Sequence, residues 1–554
     1  MDSQRPLLYL TLIFLGFMLW SAWQSDHAPK PVPAPNGIAS TTTTNSATPT
    51  TNGAVPNAAI NNANNTVVNN GQAQVITIKT DVLDLKISTQ GGDIIEASLP
   101  TYPVSLERKN EPTRILDQNG RNYVAQSGLL HTAIAGQDTT NLAPNHQALY
   151  TTPQTAYTLP QGQNELIVPL TWTGANGVQV TKRYVFKRGE FHVQVQHEVQ
   201  NNSNQLWSGS EYRQLKHGPY HATGSMLGGI QAYVGGAYYF EDKYKKIHFT
   251  EMESEPINLT TTGGWVSMLE HYFVSAWVPT QTEQTNYYSK GVTQLGNVSY
   301  VLGATGSVHQ IAAGAKDTFT SVFYVGPKDQ DNLEKLAKGL DLTVDYGIFA
   351  FVSKPIFWLM KAIHGVVGNW GWTIILLTLF IKILFFYPSA ASYKSMAKMK
   401  AFAPRMKELT ERYANDPQAK QKAMMELYRK EKINPLGGCL PILIQIPVFM
   451  GLYWVLVESV ELRQAPWILW YKDLSVMDPY FILPLIMGVS MFVQQKLNPP
   501  PTDPMQQKIF QFMPIIFTVL FLFFPAGLVL YWVVNNVLSI AQQWFINNKI
   551  IGHA

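Results

Sequence analysis

The sequence predicts a membrane α-helical bundle of six transmembrane helices, five of them forming one C-terminal core, joined to a large extracytoplasmic all-β sandwich domain. Three observations predict it. Only 14% of the 554 residues are charged, against roughly 25% in an average soluble domain, and the deficit is confined to a few long windows, most of them near the C-terminus. Between residues 73 and 327 apolar and polar side chains alternate with a period of two, the mark of half-buried strands. Residues 7–23 form a 17-residue apolar run behind Arg5. The net charge of +4 is too small and too scattered for a nucleic-acid binder, and the single cysteine, Cys439, excludes an internal disulfide.

In chain order, no small-x-small cleavage site follows the first apolar run before Gln24, so residues 1–27 read as an uncleaved signal anchor and first transmembrane helix. Residues 28–72 are almost entirely Pro, Ala, Thr, Asn, Ser and Gly, which bury too little apolar area to offset chain entropy, and they read as a disordered tether. In the β region, Leu83, Leu85 and Ile87 alternate with Asp84, Lys86 and Ser88, and Phe191, Val193, Val195, His197 and Val199 share one face. Residues 73–327 hold 17 Lys and Arg against 20 Asp and Glu, an ordinary near-neutral surface. A short polar helix is expected around 332–338. Over 345–367 Phe349, Val352, Ile356, Leu359, Met360 and Ile363 recur at helical spacing, which reads as an amphipathic helix in the membrane interface or as a core helix of the β-domain.

The core, residues 368–548, divides by length. Residues 370–387 carry Lys382 as their sole charge, and 436–457 and 479–495 carry none. The last run, 509–548, is 40 residues without a charge; at 1.5 Å per residue it is about 60 Å long, twice a hydrocarbon core, and must fold back once. Phe524-Pro-Ala-Gly527 is the break. The loop 392–433 holds eleven Lys or Arg and five acids. The positive-inside rule puts it in the cytoplasm, with both termini inside and the β-domain outside. Met396, Met399, Phe402, Met406, Leu409 and Tyr413 step by three and four, and Asp416-Pro417 supplies an N-cap and N1 proline, so the loop is a basic helical hairpin. Lys398, Lys400, Arg405, Arg412, Lys422 and Arg429 are its candidate contacts to lipid head groups, RNA or protein, beside the plain reading of a solvated charged face.

Polar residues inside the spans are the candidate site. Thr378 and Lys382 are i and i+4 on one face; Gln445 lies mid-span between Pro441 and Pro447; Trp532, Asn535, Ser539 and Gln542 form a stripe at i, i+3, i+7 and i+10. One polar residue in one helix is usually interhelical glue. Stripes on two helices plus a cation with no acid at membrane depth point instead to water in a shared groove. There is no phosphate loop, no HExxH, no GxSxG and no Cys/His cluster, so no catalytic residue, metal, cofactor or nucleotide site is expected, and the histidines of the β region read as structural.

Gly368-Asn-Trp-Gly371, Ser395-Met-Ala-Lys-Met399, Asn434-Pro-Leu-Gly-Gly-Cys439 with Pro441 and Gln445-Ile-Pro447, Val460-Glu-Leu-Arg-Gln-Ala-Pro466, Asp503-Pro-Met-Gln-Gln-Lys508 and Phe524-Pro-Ala-Gly-Leu528 together resemble the bacterial YidC membrane-protein insertases. The stretch GGWVSMLEHYFVSAWVP, from Gly263, is similar to the large periplasmic domain of the Gram-negative form. The resemblance implies five helices around a hydrophilic groove open to the cytoplasm and to lipid. It puts the groove charge on Lys382, the substrate-touching threonine on Thr378, and a family tyrosine on Trp532. Pro388 sits one place later than the usual proline, and the family's long basic tail is cut to the residues ending in Gly552-His-Ala554.

A membrane-protein insertase and chaperone of the inner membrane is therefore expected, not an enzyme. It would act on nascent membrane proteins alone or with the general secretion translocon, with ribosome contact weakened by the short tail and with membrane lipids around it. A polar-groove solute transporter or channel is the rival reading, which predicts an internal repeat that the sequence lacks. Another makes the β-domain a carbohydrate-binding or sugar-modifying module with the spans as its anchor.

Overall fold

The computed structural model describes residues 72–132, 142–174, 176–220, 233–294, 297–413, 416–431, 440–498, 504–546 and 548. The predicted anchor, nearly all of the tether, the 434–439 motif and the tail from 549 lie outside them. The described chain forms two compact units, one up to Asp345 and one from Tyr346 onward.

The first unit is a two-sheet β-sandwich. Its eleven-stranded sheet runs from the edge strand Asn258–Thr262 through Gln284–Gln294, Asn297–Thr305, Trp207–His217, Val124–His131, Ile94–Pro103, Asp84–Ser88 and Val75–Lys79 to Ala156–Thr158, with His309–Ile311 and Pro112–Asp117 as side branches. The eight-stranded sheet runs from Lys243–Ile247 through Gly235–Phe240, Trp265–Leu269, Phe273–Pro279, Lys316–Pro327, His192–Asn201 and Val178–Lys187 to Glu165–Thr173. Period-two patterning does this: Leu85 and Ile87 turn inward while Asp84, Lys86 and Ser88 stay half-buried, and Val193, Val195, His197 and Val199 all face the core.

His197 is the polar member of that inward row. Its Nδ1 meets Glu211 Oε1 at 3.0 Å, Ser321 donates to the same oxygen at 3.0 Å, and Arg213 Nη2 lies 3.2 Å from Oε2. Burial pushes His197 below its ordinary pKa. Burial alone would raise Glu211, yet Arg213 and His197 together hold it below the usual carboxylate range. A buried carboxylate is tolerated here because its oxygens are paired. His217 is likewise a core residue, with Nδ1 2.6 Å from the Gly218 carbonyl and its ring against Tyr123 and Phe249.

The second unit is helical: α1 (Ala350–Val367), α2 (Trp370–Leu384), α3 (Phe386–Ala401), α4 (Ala403–Arg412), α5 (Pro417–Lys430), α6 (Leu440–Glu458), α7 (Ile482–Leu497), α8 (Pro504–Phe521) and α9 (Ala526–Phe545). α1 buries Ser353, Ile356, Phe357 and Met360 and exposes Phe351 and Trp358. The Ser353 hydroxyl donates to the Gly451 carbonyl of α6 at 3.0 Å. Among the described residues Gly347–Val367 alone is long and apolar enough to cross a membrane by itself, and α2 with α3 qualify only as a pair.

That pair breaks the span expected over 370–387 at its inner end, beside the displaced Pro388. α2 stops at Leu384 and α3 leaves it at 68°. Pro388 explains the break: it has no N–H for the Leu384 carbonyl, and its ring would strike that carbonyl in a continuous helix. The proline is instead accommodated in the first turn of α3.

Candidate substrate groove

α2, α3, α6, α7 and α9 surround a cavity of about 110 Å³. Lys382 enters it from α2 and donates to Ser539 Oγ on α9 at 2.7 Å. Ser539 donates to the Asn535 carbonyl one turn back at 2.7 Å, and the Tyr393 side chain of α3 lies beside the same serine. Gln445 of α6 bonds the Tyr531 hydroxyl of α9. No carboxylate is among the described residues that line this cavity.

Lys382, Gln445, Asn535 and Ser539 are thus brought together by three helices. Trp532 and Thr378 are not with them. Trp532 lines a neighbouring cavity of about 370 Å³ between α6, α7, α8 and α9, packed edge-on against Phe449 at 4.8 Å and tilted against Phe521 at 5.5 Å. Its buried Nε1 has no hydrogen-bond partner among the described residues. Thr378 is buried one turn from Lys382, and its hydroxyl is engaged by the Ile374 carbonyl at 2.7 Å. Five polar lining residues were not marked by the sequence: Ser389, Tyr393, Gln494, Asn498 and Tyr531. Gln494 stands at the end of the third charge-free run, and Asn498 lies beyond Lys496, where it caps α7 in an extended conformation that helical spacing does not mark. Tyr393 is i+11 from Lys382, on the same face of a continuous helix but about 16 Å further along, and the α2–α3 bend goes with its place in the lining.

The loop between α6 and α7 covers one end of the unit. Asn369 Nδ2 donates to the Pro466 and Trp467 carbonyls at 3.2 and 3.3 Å, and the Ala526 and Gly527 amides donate to Val476 and Leu474 at 2.7 and 2.9 Å. Asp478 is buried in it and accepts from the Tyr471 hydroxyl and the Leu483 amide at 3.1 and 2.8 Å.

The hairpin cations Lys398, Lys400, Arg405, Arg412, Lys422 and Arg429 are all exposed. Lys398 and Lys400 close α3, Arg412 closes α4, and Arg429 lies in the last turn of α5. Arg405 lies over the Phe402 ring and 3.5 Å from Glu431. Among the described residues no group of three His, Cys, Asp or Glu could hold a metal ion.

Residues 75–359 match the YidC periplasmic domain and residues 362–553 match the 60Kd inner membrane protein family. The membrane protein insertase YidC of Thioalkalivibrio sulfidiphilus is 49% identical over 554 residues, covering 99% of each chain. Those of Methylococcus capsulatus and Pseudomonas fluorescens are each 47% identical over 567 residues, covering 99% of this chain and 99% and 98% of theirs. Among solved structures, an active YidC insertase with its first transmembrane domain resolved aligns with 85% of this chain and 92% of that one, at 16% identity and a TM-score of 0.37, too low to add to the sequence comparison. The matched descriptions assign the sandwich to the periplasm and the helical unit to the inner membrane. The chain belongs to the YidC family of membrane-protein insertases.

Proposed function

We propose that the cavity around Lys382 is where the hydrophilic flank of a nascent membrane protein leaves the cytoplasm, meeting water and polar side chains instead of hydrocarbon. The observation that carries this reading is the environment of Lys382. A lysine at membrane depth costs up to about 2.5 to 3.5 kcal/mol to insert; Lys382 stands in the last turn of α2, where its hydrogen-bonding partner among the described residues is a neutral hydroxyl, with no carboxylate among the described lining residues. An ammonium held this way keeps its attraction for an incoming anion, so acidic flanks gain most. Asn535 and Ser539 offer further polar contact, and Thr378 and Trp532 shape the neighbouring wall.

The driving force is the partition of about 20 apolar residues into lipid. To it is added the inside-negative potential, which favours outward movement of an acidic flank by roughly 2.3 kcal/mol per charge per 100 mV. No nucleotide is consumed. In this reading residues 1–27 anchor the chain and 28–72 tether the 73–327 sandwich. Residues 345–367 lie in the interface, and 368–548 supply five of six spans with both termini inside. The 392–433 hairpin, through Lys398, Lys400, Arg405, Arg412, Lys422 and Arg429, receives chains from the ribosome and touches lipid head groups. The protein works alone or beside the general secretion channel.

The test is insertion of a small two-span protein with an acidic translocated loop into liposomes holding the purified chain, scored by protease protection, with Lys382→Ala alongside. Loss of activity mainly for acidic loops supports the reading. Equal insertion by both proteins removes Lys382 from it, and no insertion above empty liposomes, with solute flux instead, favours a transporter.

A further inference from the structure

The two cavities share four lining residues, Gln445, Gln494, Asn498 and Asn535, and all four are carboxamides. α6, α7 and α9 contribute one each, and Asn498 is the residue that caps the end of α7. On one side of this row lie Lys382 and Ser539, beside apolar residues such as Ile381 and Val448; on the other lie Phe449, Phe517 and Trp532, beside the carboxamides Gln495 and Asn536. The row therefore separates the compartment that holds the cation from one with no charged residue among its described lining.

A carboxamide is uncharged and carries both an acceptor oxygen and a donor NH₂ group. Those are the two functions of a peptide group. A transmembrane segment that is already helical satisfies its own backbone and needs neither. An extended flank satisfies none of its backbone, and at such a boundary each N–H and C=O loses water. The partners now recorded for the row are neutral: the Tyr531 hydroxyl at Gln445, and Gln543 Nε2, 3.3 Å from Asn498 Oδ1. Neutral partners of this kind exchange for peptide groups at little cost, whereas carboxylates or ammoniums in the row would select for side-chain charge.

We infer that this carboxamide row reads the substrate's main chain. It hydrogen-bonds the N–H and C=O groups of an extended polar flank as the flank passes between the two compartments, whatever the flank's side chains. Lys382 then reads charge and the row reads backbone. The inference rests on the insertion reading above and names its substrate form: an extended polypeptide, not a preformed helix.

The first arm of the test changes the substrate and uses the unmodified chain. A chemically synthesised single-span substrate carries three consecutive ester-for-amide replacements in its translocated flank and a dye at the flank's end. Insertion into liposomes holding the full chain is followed as protection of the dye from an external quencher, beside the all-amide substrate and empty liposomes. An ester lacks the N–H donor and sheds water more easily. A groove that acts only by hydration passes the ester substrate as fast or faster; a row that binds main chain slows it, by fivefold or more.

Asn535→Leu supplies the second arm: in that variant the amide-to-ester rate ratio should fall toward one. Ester insertion at an equal or higher rate overturns the inference, as does an unchanged ratio in Asn535→Leu. Failure of the all-amide substrate to insert above empty liposomes overturns the insertion reading itself, a result separate from either.

Discussion

Ser539 is bonded on both sides. Its hydroxyl donates to the Asn535 carbonyl and accepts from Lys382, which fills its donor and one of its two acceptor positions. Ser539→Ala leaves the ammonium without that acceptor, and insertion of acidic-flank substrates should fall several-fold while Ser539→Thr keeps most of it, as read by protease protection. Gly371 is constrained by space: a Cβ there would lie 2.1 Å from the Trp467 ring. Gly371→Ala should displace that ring from the end of α2 and cost roughly 1 to 3 kcal/mol, measured as a lower unfolding temperature in detergent. In the sandwich, burial pushes His217 down to about 4, below the ordinary value near 6.5. Its folded-state pKa is depressed, so the unfolded chain binds more protons between those values. The contribution is complete above pH 6.5 and is lost as pH falls toward 4, about 2 kcal/mol of it by pH 5. The full chain's sandwich should unfold at lower temperature at pH 5 than at pH 7.5, and His217→Phe should narrow that gap; an unchanged gap would mean that other groups, such as the similarly depressed His146, carry the whole effect.

At the scale of elements, local chemistry sets the helix ends. Asp416 accepts from the Gln418 and Ala419 amides at 3.1 and 3.0 Å, and Pro417 follows at the first helical position, as the Asp-Pro pair implies. Asp416→Ala should cost about 1 kcal/mol, visible as faster hydrogen exchange in the first turn of α5; unchanged protection would show that packing against α4 holds that turn instead. Strand faces were equally legible, because alternation is a property of neighbours in sequence: Leu85, Ile87, Val193 and Val195 all point inward. The α2–α3 break was not. Pro388 was visible one residue past the apolar run 370–387, but the 68° angle of the break was not, and the bend goes with Tyr393's place in the cavity lining.

For the whole molecule, the proposed division of labour predicts that a chain lacking most of residues 73–327, retained in the membrane, still inserts a small two-span substrate; loss of all insertion by a stable deletion variant would tie the sandwich to the reaction itself. The sequence by itself determined the class: charge-free windows, period-two alternation and the ordered motifs from Gly368 to Leu528 are local patterns, and burial or lipid acts on them residue by residue. It also marked Lys382, since a lone cation in an apolar helix needs a polar surrounding wherever it sits. What the cation faces was decided by tertiary structure. Ser539 lies 157 residues away, and the four carboxamides come from three helices and the residue that caps one of them, and form a row only because those helices pack side by side. Periodicity reports which face a residue occupies along its own helix. Which faces meet is set by packing between helices, and no single helix carries that information.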